Sequence, residues 1–146
     1  MMRFTTRSCF VALPLLLAVL SIAWSAAAAG PAAPRQKTIA SYCSSSGDVC
    51  YGVFNRSGKA YLRITTAARY FGRYNLCVRL LPPGSGAQHA RRCGSFPVFR
   101  QGGSTWGSSV NYARQYPVTV PGRYRVTWKL GATALGPALQ FRLPLA

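Results

Sequence analysis

Glutamate is absent from the 146 residues, and Asp48 is the one aspartate. Hydrolases that work with two carboxylates are thereby excluded, because Asp48 has no acidic companion. Calcium and magnesium sites, which need several hard oxygen ligands, are excluded for the same reason. Histidine is as scarce: His89 is the single imidazole. A Ser–His pair needs a third group to orient the ring, and Asp48 sits in a Gly47-Asp48 turn sequence. With one histidine and no Cys-x-x-Cys spacing, no zinc site is expected. No cofactor is implied either, and catalysis is not expected of this chain.

Long apolar runs are missing too, apart from one at the start. Arg3 and Arg7 precede a mostly apolar stretch from Cys9 to Trp24, interrupted by Pro14, and alanines fill 26 to 29. A charged start, a short apolar stretch and a small-residue exit describe a secretory signal peptide over residues 1–29. The run is shorter than the ~20 apolar residues a spanning helix requires, and nothing after it is a transmembrane candidate. Residues 30–37 are rich in Pro and Ala and read as a flexible tether. Residues 38–146 form the one domain this length accommodates. A secreted or extracytoplasmic location follows, wall association included.

What is abundant is positive charge. The chain carries 18 Lys plus Arg and a formal charge of +17. Setting aside Arg3 and Arg7 leaves 16 against Asp48, about +15. Arginines outnumber lysines fifteen to three, which with the Ala, Gly and Pro content fits a GC-rich coding bias. Such a surface repels itself and attracts polyanions in a salt-dependent way. Nucleic acid, anionic lipid, acidic glycans and phosphate-rich wall polymers all satisfy that attraction; no specific nucleic-acid motif is present.

Four cysteines follow the signal segment: Cys43, Cys50, Cys77 and Cys93. In an exported small domain they read as two disulfides, with three possible connectivities. Cys43–Cys50 and Cys77–Cys93 are favoured, because each pair is close in sequence and brackets a turn-rich loop. Elsewhere the pattern has period two, the rhythm of half-buried strands. Tyr124, Val126, Trp128 and Leu130 alternate with Arg123, Arg125, Thr127 and Lys129. Leu139, Phe141 and Leu143 alternate with Gln140 and Arg142. Val49–Val53, Ala60–Thr66, Tyr74–Leu80, Phe96–Arg100 and Trp106–Tyr112 read as further strands. Asn55-Arg56-Ser57-Gly58 reads as a hairpin turn. Thr65–Phe71 is the one helix candidate, although its capping box lacks Glu or Gln. Seven or eight short strands with intervening turns predict an all-β sandwich.

The C-terminal run Pro121-Gly122-Arg123-Tyr124-Arg125-Val126-Thr127-Trp128-Lys129, followed by Leu139-Gln140-Phe141-Arg142-Leu143, resembles the closing hairpin of bacterial immunoglobulin-like sandwiches. Exported copper-resistance domains end similarly. The resemblance implies an immunoglobulin-like fold. It does not carry copper binding across, because the Gly131–Pro137 loop has no His or Asp.

The remaining functional signal is the arrangement of cations. Arg123, Arg125, Lys129 and Arg142 are expected on the outward face of the closing hairpin, a compact patch given strand spacing of ~5 Å. Arg91 and Arg92 are expected to form a second cluster in a loop. Arg69-Tyr70 and Arg73-Tyr74 set aromatics beside cations, a mixture suited to stacking on bases or sugars. The reading that follows is a secreted binding module for an anionic polymer or envelope surface. The alternative is a protein-interaction module or inhibitor that presents its disulfide-held loops.

Overall fold

The computed structural model describes Gln36–Ala146. The expected signal peptide and nearly all of the tether lie outside the described residues. Ten strands appear in the order β1 Gln36–Cys43, β2 Val49–Arg56, β3 Lys59–Thr66, β4 Arg73–Leu81, β5 Arg92–Pro97, β6 Phe99–Gly102, β7 Thr105–Asn111, β8 Gly122–Leu130, β9 Thr133–Ala134 and β10 Leu139–Leu143. A single α turn, α1, spans Tyr112–Gln115, and a 3-10 turn spans Ala87–His89. The first sheet runs β1-β2-β3-β7-β6; the second runs β10-β8-β4-β5, with β9 attached to β8. Every pairing is antiparallel.

The strand count exceeds the expected seven or eight for three local reasons. β1 starts at Gln36, so Gln36 and Lys37 are paired strand rather than tether. Its register shifts between Thr38 and Ala40, which breaks the alternation that would reveal it in sequence. β9 is a two-residue pairing within the loop that joins β8 to β10. The stretch Phe96–Arg100 is divided between sheets. β5 belongs to the second sheet and β6 to the first, and the chain crosses between them at Val98, whose N–H donates to Gly72 O at 3.0 Å.

No helix forms over Thr65–Phe71. β3 stays paired through Thr66, opposite Val49 on one side and Trp106 on the other. The Thr66 hydroxyl then donates to Ala68 O at 2.7 Å and turns the chain. Two β-branched threonines with partners on both flanks prevail over barely two turns of uncapped helix.

The sheets face one another across an apolar and aromatic interior. Leu62, Ile64 and Val53 from the first sheet meet Leu76, Val126 and Trp128 from the second, all with no exposed surface. Tyr51 stacks on Trp128 with centroids 4.5 Å apart. Burying side chains of this size contributes roughly 1.5–3 kcal/mol each. Five buried tyrosines each satisfy their hydroxyl with a hydrogen bond. Tyr51 donates to Pro137 O (2.8 Å), Tyr116 to Leu76 O (2.6 Å), Tyr124 to Val120 O (2.6 Å) and Tyr112 to Val118 O, while Tyr74 shares a bond with Ser108 (2.7 Å). Burial raises the pKa of all five, and Tyr51 and Tyr74 reach about 12.

Both disulfides have the favoured connectivity, Cys43–Cys50 and Cys77–Cys93. Each joins residues directly opposite one another on adjacent strands of one sheet. Two such bonds indicate an oxidising, extracytoplasmic compartment. Among the described residues no helix is long and apolar enough to cross a membrane.

Candidate functional site, a cationic sheet face

Alternation decides which residues leave the core. In β8, Tyr124, Val126 and Trp128 are buried, so Arg123, Arg125, Thr127 and Lys129 point outward. In β4, Tyr74, Leu76, Val78 and Leu80 are buried, which turns Arg73 and Arg79 outward on the same sheet. β8 lies between β10 and β4, and the register sets the outward residues in rungs. Arg142 stands opposite Arg123, and Arg125 stands opposite Arg79. These two rungs are neighbours on one face, so four guanidiniums share one corner of the sheet. Side chains directly opposite have Cβ atoms about 5 Å apart, and like charges in that position are destabilising.

The next rung is uncharged: Thr127, then Cys77 and its disulfide partner Cys93. Lys129 follows one rung further, opposite Asn75 and half-buried. Four residues along a strand span about 13 Å, so Lys129 stands apart from the arginine corner. Arg73 is held by Ser95, with Nε to Oγ at 3.2 Å and Nη2 to the carbonyl at 2.9 Å.

The expected Arg91–Arg92 cluster is divided. Arg91 is exposed, one residue before β5. Arg92 opens β5 opposite buried Val78, and its side chain turns to the interior side. Its Nη2 donates to Ala87 O at 3.2 Å, and its Nε is buried without a protein partner. A crevice of about 10 Å³ between it and Tyr112, Tyr116 and Tyr124 is room for one water. Strand alternation sends neighbouring residues to opposite faces, which is why two adjacent arginines cannot act as one patch here.

The aromatic–cation neighbours also part. Arg69 lies over Trp106, 5.2 Å from its centroid, and not over Tyr70. Tyr74 is a core residue, 1% exposed. Asn55 closes the β2–β3 turn through Oδ1, which accepts from Gly58 N–H at 2.9 Å. His89 Nδ1 donates to Pro82 O (3.1 Å) in the β4–β5 loop, whereas Asp48 lies in the β1–β2 turn, where its carbonyl accepts from Ala67 N–H. Among the described residues no group of His, Cys, Asp or Glu could hold a metal ion.

Arg79 is the member of the corner that sequence reasoning left out. Alternation already turns it outward, but only the β4–β8 pairing, a contact across more than forty residues, brings it to Arg125. The other end of the charge ledger is fixed by composition. Asp48 is the chain's one acidic side chain, so almost every cation lacks a carboxylate partner within the molecule.

No protein-family model, curated protein or solved structure matches this chain.

Proposed function

We propose that the protein is an exported binding module that uses the Arg79, Arg123, Arg125 and Arg142 corner to hold an anionic polymer of the cell envelope. The observation that carries this reading is the pair of adjacent rungs in which arginine faces arginine. Such an arrangement costs stability, and no internal carboxylate relieves it. A polymer with closely spaced negative groups would neutralise several guanidiniums at once and release its own counterions. The N-terminal segment supplies the export route, and the disulfides fit the compartment beyond it.

The same reading takes the framework to be an immunoglobulin-like sandwich. Its support is the partition of strands, with β3 beside β7 in one sheet and β4, β8 and β10 together in the other. A tyrosine near the start of β8, bonded to the carbonyl four residues upstream, agrees with the tyrosine corner of such folds.

Retention on immobilised heparin and on purified envelope, followed across a salt series, tests the function. Changing Arg79, Arg123, Arg125 and Arg142 together to Ser is expected to abolish most retention and to flatten the salt dependence. Retention unchanged in that variant refutes the proposal. Retention that is salt-insensitive and depends on the Ser44–Val49 turn or the Pro82–Arg91 loop transfers the function to the disulfide-held loops.

A further inference from the structure

The crossing at Val98 has a second result on the far side of the sandwich. β6 accompanies β7 only along Thr105–Gly107. From Ser108 to Asn111, β7 is paired with β3 on one side and, among the described residues, with no strand on the other. Edges of this kind present free backbone N–H and C=O groups and invite a further strand. Proteins commonly blunt them with a lysine, a proline or a bulge, but the residues here are Ser108, Ser109, Val110 and Asn111.

A cleft of about 320 Å³ runs along this edge. Phe96 and Phe99 line it, and Phe99 is 58% exposed, more than any other large apolar residue of the described chain. Arg114 and Gln115, carried by α1, add polar groups to the lining. Within the lining, Asn111 Nδ2 donates to the Tyr61 hydroxyl at 3.4 Å, and its Oδ1 is buried without a partner. Apolar walls, a few convergent polar groups and this volume are the usual composition of a recognition cleft.

We infer that this edge receives an extended, acidic peptide segment as an added strand. The occupant must bring backbone donors and acceptors in strand spacing, because that is what Ser108–Asn111 offer. Main-chain pairing would give affinity, and alternate side chains would enter the Phe96–Phe99 side. Its charge is set by Arg114 and by the surplus of thirteen positive charges on residues 38–146, 14 Lys plus Arg against Asp48, which favour an acidic segment and oppose a second copy of the chain. The inference does not depend on the arginine corner, which belongs to the other sheet.

The test is selection of a phage-displayed library of random heptapeptides on the oxidised protein, followed by titration of the enriched peptides. Enriched sequences are expected to contain Asp or Glu with apolar residues at alternate positions. Binding is expected to slow hydrogen exchange of alternate amides in Ser108–Asn111 at least tenfold. Arg114→Glu and Phe99→Ser, both at exposed positions, are each expected to weaken binding about tenfold while leaving heparin retention intact. Selection without enrichment, or binding that leaves Ser108–Asn111 unprotected, overturns the inference. So does a cleft that takes cellotriose or chitotriose and no peptide. Binding lost only when Arg79, Arg123, Arg125 and Arg142 are changed to Ser assigns the peptides to the arginine corner and likewise overturns it.

Discussion

Replacing Arg125 with Thr is expected to make the protein more stable and a weaker binder of polyanions. Arg125 has Arg79 directly opposite, Arg123 two positions away on the same face and Arg142 on the diagonal. With each charge about 7 Å from the next, as cross-strand and diagonal spacings suggest, one pair repels by roughly 0.6 kcal/mol in water. Three such neighbours sum to about 1.4 kcal/mol at ~10 mM salt and about half that at ~150 mM. Residual repulsion in the unfolded chain reduces both figures, so a gain on the order of 1 kcal/mol at low salt is expected. Threonine suits an exposed strand position, so little is lost in exchange. Urea denaturation at the two salt concentrations measures the effect as an upward shift of the midpoint, roughly 0.5 M at low salt for a urea slope near ~2 kcal/mol/M. The same variant should elute earlier from heparin. If Arg125→Thr lowers stability, or if its gain is the same at both salt concentrations, the corner is not electrostatically stressed. Either result removes the electrostatic ground for a ligand at the corner.

Three further outcomes follow from the framework. Changing Cys77 and Cys93 together to Ala releases a loop with a sequence separation of 16 and is expected to cost about 3 kcal/mol, against about 2.5 kcal/mol for Cys43 and Cys50; the urea midpoints of the two double variants give the comparison. Tyr51 and Tyr74 keep their protons to about pH 12 in the fold and lose them near pH 10 when unfolded. Their contribution is therefore complete below pH 10 and is lost as pH rises from 10 to 12, on the order of 2–3 kcal/mol for Tyr74 and less for Tyr51, whose hydroxyl is the less buried of the two and is screened by solvent; denaturation at several alkaline pH values, with tyrosinate absorbance as a second signal, checks the window. Gly107→Ala would put a methyl group 2.2 Å from Ile64 O, so the β3–β7 pairing must shift, at an expected cost of about 2 kcal/mol or more; a variant as stable as the parent would show that this contact is looser than described.

The fold was legible where one face of a strand is apolar. Tyr124, Val126 and Trp128 announce β8, and Tyr74 through Leu80 announce β4, because burial on one side imposes a strict two-residue period. It was illegible where burial is shallow or the period slips. β1 is largely exposed and bulged at Ile39, and α1 is a single turn without a side-chain cap. The disulfides were readable because each spans a short loop. The site was half readable. Facing direction follows from alternation, which places Arg123, Arg125 and Arg142. Neighbourhood across the sheet does not, so Arg79 was missed. Arg92 was misplaced because the start of β5 lies inside a stretch that its composition marks as loop.

The Cys43–Cys50 bond has a mechanical consequence for a domain held by its N-terminus. Among the described residues β1 is an edge strand paired only with β2, and its first residue, Gln36, lies at the end of the hairpin away from the disulfide. Tension applied from the N-terminal side would unzip β1 one pair at a time from Gln36, yielding about 25 Å of slack over its eight residues. Peeling then stops at Cys43, because the covalent bond hands the load to Cys50 and past the intervening turn. From there the force meets β2, which is paired along its whole length with β3 and anchored in the core by Tyr51 and Val53. The hairpin thus gives a short, reversible extension followed by a firm stop.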